Sequence, residues 1–267
     1  MTAASRREPA SLFDIRNKVA VVTGASGAFG ALAARVLAAA GARLVLAAGR
    51  PAELEEVARQ CRDAGAEVIA VARRPNAEQD CDAIMEAAKS GFGSLDILVV
   101  GSGLNIVSPI VDMPPEKFLE VMNGNVTGAW LLCRAFGKVV VPQGRGGKVV
   151  LMSSARGALG HPAGYSAYCA SKAATDGLTR ALGCEWGKHA ICVNAIAPTV
   201  FRSALTAWMF EDDDKARTTR AGMLARIPVG RLGEPEDLAG PLLFLVSRAS
   251  DFYTGHILYA DGGYTAG

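Results

Sequence analysis

The sequence lacks the features that mark several classes of protein. No run of about 18 apolar residues occurs, so no helix is expected to cross a membrane. Arg6 and Arg7 are not followed by an apolar stretch, so no signal peptide is expected. The 28 basic and 26 acidic residues nearly balance, which gives no reason to expect binding to nucleic acid or to a membrane surface.

Metal-binding patterns are missing as well. The six cysteines form no CxxC pair and do not cluster with the three histidines, so no metal site is expected. Scattered cysteines are typical of small buried apolar residues in a reducing compartment. Together these absences predict a cytoplasmic protein.

The chain also has no internal repeat and no low-complexity linker. Its 267 residues, half of them apolar, are enough for the core of one large α/β domain. We expect residues 1–10 to form a flexible tail and residues 11–267 to form a single domain.

A glycine-rich loop lies near the start of this domain. The β-branched run 18–23 predicts a buried strand, the loop 23–30 follows, and the alanine-rich stretch 31–40 predicts a helix. Glycine lets the backbone approach a pyrophosphate, and the free amides at a helix N-terminus attract it. The context therefore predicts a dinucleotide-binding loop, although a glycine-rich loop taken alone also fits a plain turn.

Strand and helix patterns alternate along the rest of the chain. Further strands are predicted at 43–47, 67–72, 96–100, 147–152, 191–197 and 256–259, and further helices at 51–64, 77–90, 114–142, 167–186 and 235–246. This alternation predicts a parallel sheet with right-handed crossovers. The expected fold class is α/β, a Rossmann-type doubly wound parallel sheet of about seven strands with helices on both faces.

Two segments fit the regular pattern less well. Asn123-Gly124-Asn125 interrupts the helical stretch 114–142, either as a break between two helices or as a polar kink that faces the site. Residues 199–227 have the length and position of a substrate lid. The acidic run 211–214 within it is interpreted as a solvated stretch.

Tyr168 and Lys172 are the strongest candidates for chemistry. Their four-residue spacing places both side chains on one face of the predicted helix. A phenol normally ionises near pH ~10, and a nearby ammonium is expected to lower its pKa. Such a tyrosine can exchange a proton with a substrate oxygen near neutral pH. Taken alone, the pair also fits two ordinary surface residues.

Several motifs occur in an order that resembles the short-chain dehydrogenase/reductase family, from about Leu12 to the C-terminus. They are Thr23-Gly24 through Gly30, Asp96-Ile97-Leu98-Val99, Asn125, Ser154, Tyr168-x-x-x-Lys172, Asn194-x-Ile196-x-Pro198, Arg231-x-Gly233-x-Pro235-Glu236-Asp237 and Asp261-Gly262-Gly263. The two chain ends resemble those of bacterial polyol and sugar-acid dehydrogenases and keto-acyl reductases. The resemblance implies an NAD(P)-dependent oxidoreductase, an alcohol dehydrogenase or carbonyl reductase, that acts on a small carbonyl or alcohol substrate.

The resemblance also implies four catalytic residues. Tyr168 is the expected general acid/base, and Lys172 lowers its pKa and holds the nicotinamide ribose. Ser154 hydrogen-bonds the substrate carbonyl. Asn125 holds the helix kink and a water that leads protons to Lys172. Ser154 lies one residue farther from Tyr168 than is usual in the family, so Ser153 is the alternative.

The expected cofactor site contains four departures from the family pattern. The cofactor-binding residues are expected to be Thr23, Gly24, Ser26, Gly27, Phe29, Gly30, Arg50, Arg74, Gly101, Gly103, Tyr168, Lys172, Pro198, Thr199, Val200 and Ser203. Ala28, Arg74, Val100 and Thr199 replace the residues usual in the family. We expect a locally reshaped cofactor pocket. The same departures are the argument for the alternative, a non-catalytic dinucleotide-binding sensor or scaffold.

The residues after the second strand favour NADP as the cofactor, with NAD as the alternative. Enzymes that bind NAD usually place an acidic residue there, whereas this chain has Ala48. Arg50, Arg73 and Arg74 are expected to converge near the adenosine, and guanidinium groups suit phosphate. The alternative is that these arginines are solvated surface charges.

The substrate and the assembly are less constrained. Arg156, His161, Tyr165 and Arg202 are candidates to line the site, which would favour a hydroxylated or acidic substrate, but each also fits a loop residue bonded to backbone. The helices 126–141 and 168–186 are rich in small and apolar residues beyond one buried face. The family resemblance implies that these helices pair across a two-fold axis and that the final strand forms a second interface. This arrangement predicts a homotetramer, with a dimer as the alternative.

Overall fold

Seven short strands, most of them rich in valine, leucine and isoleucine, build one sheet. They are β1 (Val19–Thr23), β2 (Arg43–Ala47), β3 (Val68–Val71), β4 (Ile97–Val100), β5 (Gly147–Met152), β6 (Ile191–Pro198) and β7 (Ile257–Ala260). All six neighbouring pairs are parallel, in the order β3-β2-β1-β4-β5-β6-β7. The structure is a computed structural model that describes residues 8–203 and 206–267. The predicted α/β class and strand number are confirmed.

The described part of the chain contains eight α-helices, six of which pack on the sheet. They are α1 (Ala28–Ala39), α2 (Pro51–Asp63), α3 (Glu78–Phe92), α4 (Pro115–Met122), α5 (Gly128–Gln143), α6 (Ser166–Trp186), α7 (Asp214–Leu224) and α8 (Ala239–Val246). None of them combines the length and hydropathy of a membrane span. Residues 1–7 of the predicted tail lie outside the described residues, and its end joins a 3-10 helix at Pro9–Phe13.

Two apolar layers hold the helices to the sheet. Helices α1, α2 and α8 pack on one face, where Leu37 and Leu242 are fully buried. Helices α3, α5 and α6 pack on the other face, around Ile84 and Phe136. Four of the six cysteines are buried, as predicted, and three of them, Cys61, Cys81 and Cys133, lie in these layers. Cys169 is half-buried and Cys184 is exposed, so for these two the prediction was wrong.

The polar Asn123-Gly124-Asn125 segment does not break the long helix. Residues Asn123–Thr127 form a π-helical turn that joins α4 directly to α5, with helical backbone on both sides. A π turn contains an extra residue relative to an α turn, and such turns are frequent at functional sites. The kink alternative is therefore closer to the structure than the break between two helices.

The segment 199–227 contains a regular helix that the sequence pattern did not predict. Helix α7 begins after Asp213, whose carboxylate accepts a 2.8 Å hydrogen bond from the backbone N–H of Ala216. Asp212 and Asp214 pair with Arg217 on the same helix. The interpretation of the acidic run as merely solvated was wrong for Asp213, because this residue caps the helix.

Candidate active site

The loops after β1 and β4 meet at the carboxyl edge of the sheet. Thr23 pairs in register with Val100, and its hydroxyl lies 3.2 Å from that of Ser102. Gly24 has a φ of 65°, and a Cβ added there would lie 2.6 Å from the carbonyl carbon of Gly101. Only glycine fits this crossing of the two loops. The crossing lies where the strand order reverses, which is where dinucleotides bind in doubly wound sheets.

The glycine loop leads straight into α1. Gly27 is the N-cap residue, and among the described residues no side chain caps this helix. The helix begins at Ala28, three residues before the predicted start, because the loop glycines already belong to its first turn. A Cβ on Gly30 would overlap the carbonyl oxygen of Gly24. The uncapped amides at this N-terminus fit the pyrophosphate of a dinucleotide.

Lys172 is buried beside Tyr168 on α6. Its ammonium nitrogen lies 5.5 Å from the centre of the Tyr168 ring and donates a 2.8 Å hydrogen bond to the carbonyl oxygen of Met152. Burial lowers the pKa of Lys172 from its ordinary 10.5 to about 8, against the opposing effect of Asp176. An ammonium group has three N–H donors, and the described residues accept one. Its other two donors fit the hydroxyls of a ribose.

The pKa of Tyr168 differs from the sequence prediction. Burial raises the pKa of its phenol above the ordinary value of 10.0, while the Ser154 hydroxyl and the charge of Arg156 act to lower it. The prediction that Lys172 lowers this pKa was wrong. The physical reason is that Lys172 is itself desolvated and directs a proton at Met152.

Ser154, rather than Ser153, faces Tyr168. Ser153 donates a 2.5 Å hydrogen bond to the carboxylate of Asp176, which holds it away from the tyrosine. The Ser154 Oγ accepts a 3.1 Å hydrogen bond from the backbone N–H of Arg156 at the start of a 3-10 turn. This turn and the loop after it absorb the extra residue of spacing before α6.

Asn125 lies in the π-helical turn and ties three elements together. Its Oδ1 accepts a 2.7 Å hydrogen bond from the N–H of Leu104, and its Nδ2 donates to the carbonyl of Leu104 and to the hydroxyl of Ser171. A Cβ on Gly103 would lie 3.0 Å from Asn125 Oδ1 and 3.7 Å from Lys172 Nζ. Asn125, Gly103 and Lys172 therefore meet at one point beside the site.

Two of the three arginines predicted near the adenosine lie at the end of β2. Arg50 donates a 2.8 Å hydrogen bond to the carbonyl of Ser26 in the glycine loop. Arg74 covers Gly49, where an added Cβ would overlap its side chain. Arg73 instead pairs with Asp80 at the start of α3, at 2.8 Å. Of the three arginines that the sequence allowed to converge, Arg73 is therefore engaged by the carboxylate of Asp80.

Residues 198–203 continue from β6 across the same edge. Val200 accepts a 3.0 Å hydrogen bond from the N–H of Gly233, and the N–H of Ser203 donates to the hydroxyl of Thr206. Arg202 pairs with Glu234 and stacks on Phe210, 3.8 Å from the ring centre. The predicted residues Pro198, Thr199 and Val200 are half-buried here. Arg202, in contrast, is engaged within the fold and is not a free substrate ligand.

Two residues at the site were missed by the sequence analysis. Asp176 is buried, holds Ser153 and influences Lys172. Its four-residue spacing from Lys172 places both side chains on one face of α6 and is a signal visible in the sequence. Tyr264, near the C-terminus, is buried and accepts a 2.9 Å hydrogen bond from Arg156. No local pattern marks this contact, because it joins residues 108 positions apart.

Comparisons with known proteins agree with this architecture. A family model described as enoyl-(acyl carrier protein) reductase matches residues 24–265. An uncharacterized oxidoreductase of Mycobacterium tuberculosis is 55% identical over 255 residues, which cover 95% of this chain and 93% of that protein. Cis-4-hydroxycyclohexanecarboxylate dehydrogenase of Sinomonas cyclohexanicum is 38% identical and covers 93% of this chain and 97% of its own length.

A solved structure is similar over nearly the whole chain. It is a gluconate 5-dehydrogenase from Burkholderia cenocepacia J2315, in complex with NADP and tartrate. It superposes with a TM-score of 0.90 at 27% identity and covers 97% of this chain and 100% of its own. The ordered motifs, the sheet topology and these matches agree, and the chain belongs to the short-chain dehydrogenase/reductase family of oxidoreductases.

Proposed function

We propose that the protein interconverts a small carbonyl compound and its alcohol, with Tyr168 as the general acid/base. The observation that carries this proposal is the meeting of Ser154, Tyr168 and Lys172 next to the loop 101–103, which also crosses the glycine loop before α1. The nicotinamide, when bound, supplies the hydride chemistry. The protein supplies position, a proton and charge stabilisation.

The hydrogen bonds support distinct roles for the polar side chains. The Ser154 oxygen accepts the N–H of Arg156 and its hydroxyl contacts the Tyr168 phenol, so its proton can be donated to the phenol oxygen or to a substrate oxygen bound between the two side chains. Tyr168 has a raised pKa, so at neutral pH it carries the proton that a reduced carbonyl needs. Lys172 would hold the ribose with its two remaining donors. Asn125 would fix the turn and a water that supplies protons to Lys172.

NADP is the favoured cofactor, with NAD as the alternative. Ala48 places no negative charge at the end of β2, and Arg50 and Arg74 both lie there. Guanidinium groups bind phosphate through forked hydrogen bonds. The related gluconate 5-dehydrogenase was solved with NADP. In this proposal the cofactor-binding residues predicted from the sequence, from Thr23 to Ser203, surround the cofactor.

We further propose that residues 199–227, including α7, form the substrate lid of a single cytoplasmic domain spanning residues 11–267.

A homotetramer is favoured over a dimer. Trp130 on α5 is 49% exposed, and Tyr259 on β7 is 37% exposed. Apolar rings on the two surfaces predicted to pair support an assembly that buries them. The relatives are named as oxidoreductases or dehydrogenases, which gives the non-catalytic alternative no support.

Replacement of Tyr168 tests the proposed chemistry. Tyr168→Phe removes the hydroxyl and keeps the ring, so turnover should fall at least ~100-fold, while cofactor binding is largely kept. The assay is cofactor absorbance with a generic diketone and, in parallel, cofactor titration. Tyr165→Phe, on the neighbouring ring 6.2 Å away, is the matched control and should retain turnover. Turnover near the unmutated rate in Tyr168→Phe would show that another group donates the proton.

A further inference from the structure

Two arginines, Arg156 and Arg226, lie against the ring of the buried Tyr264. The guanidinium carbon of Arg156 is 5.4 Å from the centre of the Tyr264 ring, and that of Arg226 is 4.2 Å from the same centre. Arg156 belongs to the loop after β5, and Arg226 lies just beyond the lid helix α7. The fold therefore brings two positive charges from distant parts of the sequence to one ring.

Neither arginine is neutralised within the described residues. No ion pair there involves Arg156 or Arg226, whereas the lid residues Arg202 and Arg217 both have carboxylate partners. Two guanidinium groups that face one ring repel each other. A bound anion offsets this repulsion, and it does so more strongly where a guanidinium is partly removed from water. The pair of arginines at Tyr264 therefore suits a negatively charged ligand.

Arg156 is held in a fixed orientation. Its Nη1 donates a 2.7 Å hydrogen bond to the carbonyl of Gly160, and its Nη2 donates at 2.9 Å to the hydroxyl of Tyr264. A guanidinium group has five N–H donors, so three remain after these two bonds. Preorganised donors of this type suit the two oxygens of a carboxylate.

A row of aromatic rings connects this pair to the proposed catalytic tyrosine. The His161 ring lies 4.3 Å from Tyr165, and Tyr165 lies edge-on to Tyr168 at 6.2 Å. The pKa of His161 is lowered by burial and then by the charges of Arg156 and Arg226. The charge of Arg156 also reaches the phenol of Tyr168. The ring contacts and the short loop from Ser154 to Arg156 therefore place the two arginines near the proposed reaction centre.

We propose that Arg156, with Arg226 beside it, binds a carboxylate of the substrate, which is therefore a hydroxy acid or keto acid. This proposal rests on the proposed function, because it assigns the substrate class of that same site. The backbone of Arg156 bonds to Ser154, while its guanidinium extends away to Tyr264. The carboxylate accordingly lies at the end of the substrate remote from the reacting oxygen.

Matched ketones test this proposal in the complete enzyme. The kcat/KM for 4-oxocyclohexanecarboxylate should exceed that for its methyl ester at least tenfold, since a hydrogen bond to a charged group is stronger than one to a neutral group. Arg156→Gln should lower kcat/KM for the acid about 10- to 100-fold and change the ester less than about threefold. Arg226→Gln should have a smaller effect of the same kind, because Arg226 is exposed.

Arg217→Gln is the matched control for the general effect of charge. It removes one positive charge from the same lid, but Arg217 is paired with Asp212 and Asp214. This variant should leave the preference for the acid unchanged. Equal kcat/KM for acid and ester in the unmutated enzyme, or a preserved preference in Arg156→Gln, would overturn the carboxylate site and leave the proposed reaction intact.

A binding measurement separates this proposal from the proposed chemistry. In calorimetric titrations with NADP+ present, cyclohexanecarboxylate should bind at least tenfold tighter than cyclohexanecarboxamide, and Arg156→Gln should remove that difference. Tyr168→Phe should retain it, because the phenol is not a ligand of the carboxylate in this proposal. Failure of every ketone with both cofactors would overturn the proposed function. In that case the titration still decides: a carboxylate preference that depends on Arg156 supports the site, and equal binding overturns it.

Discussion

Replacement of Gly103 by alanine probes the point where the loop after β4 meets Asn125 and Lys172. The added Cβ would lie 3.0 Å from Asn125 Oδ1 and 3.7 Å from Lys172 Nζ. Gly103 does not have the left-handed backbone that disfavours alanine, so the effect arises from these contacts alone. The Asn125 oxygen cannot retreat easily, because the N–H of Leu104 holds it at 2.7 Å.

The size of the effect follows from two opposing contributions. Overpacking of a fixed neighbour typically lowers the free energy of unfolding by about 1–3 kcal/mol. Replacement of glycine restricts the unfolded chain and returns about 0.4–1 kcal/mol. A net loss of about 1–2 kcal/mol should lower Tm by about 2–4 °C in a chain of this length. Displacement of Lys172 and Asn125 by a few tenths of an ångström should lower kcat/KM about tenfold or more.

The assay combines thermal unfolding with steady-state kinetics. Gly187→Ala, at the far end of α6 and with no atom near its added Cβ, is the matched control. It should raise Tm slightly, because only the gain of about 0.4–1 kcal/mol from replacing glycine applies there, and it should leave kcat/KM unchanged. A second comparison places Gly103→Ala in an Asn125→Ala background. There the contact with Oδ1 is gone, so the cost of the added methyl group should shrink. If Gly103→Ala keeps the Tm and kcat/KM of the unmutated protein, the reasoning from this contact is refuted.

Three further predictions concern the cofactor, pH and assembly. Arg50→Ala should weaken NADP(H) more than NAD(H), and Ala48→Asp should shift preference toward NAD(H), because a carboxylate repels the 2′-phosphate. Equal or tighter binding of NAD(H) by the unmutated protein, titrated at fixed salt, would contradict this. The pKa of Lys172 is lowered to about 8, so the ammonium is present below that pH and lost above it. The kcat/KM for the cofactor should therefore fall as pH rises through about 8, and a flat profile between pH 7 and 9 would exclude the ammonium as a ribose ligand. Light scattering at micromolar concentration should give the mass of a tetramer, whereas a monomer would rule out both tetramer and dimer.

The sheet was predictable because most residues of its five inner strands, β1, β2, β4, β5 and β6, are buried. Short runs rich in valine, leucine and isoleucine between glycines, such as Val19–Thr23 and Ile97–Val100, appear where the sequence placed them, within a residue or two. The helices that follow them carry a clear apolar face or a high content of alanine. These local signals agree with the final fold, which explains why the topology could be inferred.

The features that were not predicted have a different cause. Each feature depends on contacts between residues that are distant in sequence or on the balance of two opposing effects. Arg73 turns toward Asp80 only once α3 is in place. The raised pKa of Tyr168 reflects burial that no spacing rule reports. Helix α7 begins in an acidic run, and its cap Asp213 was outweighed by the charge pattern around it. The positions of Tyr168, Lys172 and Ser154 were predictable, whereas their protonation required the packed structure.

The π-helical turn at Asn123–Thr127 divides one long helix into two halves that are out of phase. An added residue rotates everything before it by about 100° relative to an uninterrupted α-helix. Deletion of Gly124 would let the helix run on regularly and would turn the buried face of α4, which carries Val121, away from its present neighbours. It would also remove Asn125 from Leu104 and Ser171. The π-helical turn therefore sets the rotation of α4 relative to α5. Any change that restored a regular helix would remove the function proposed for Asn125.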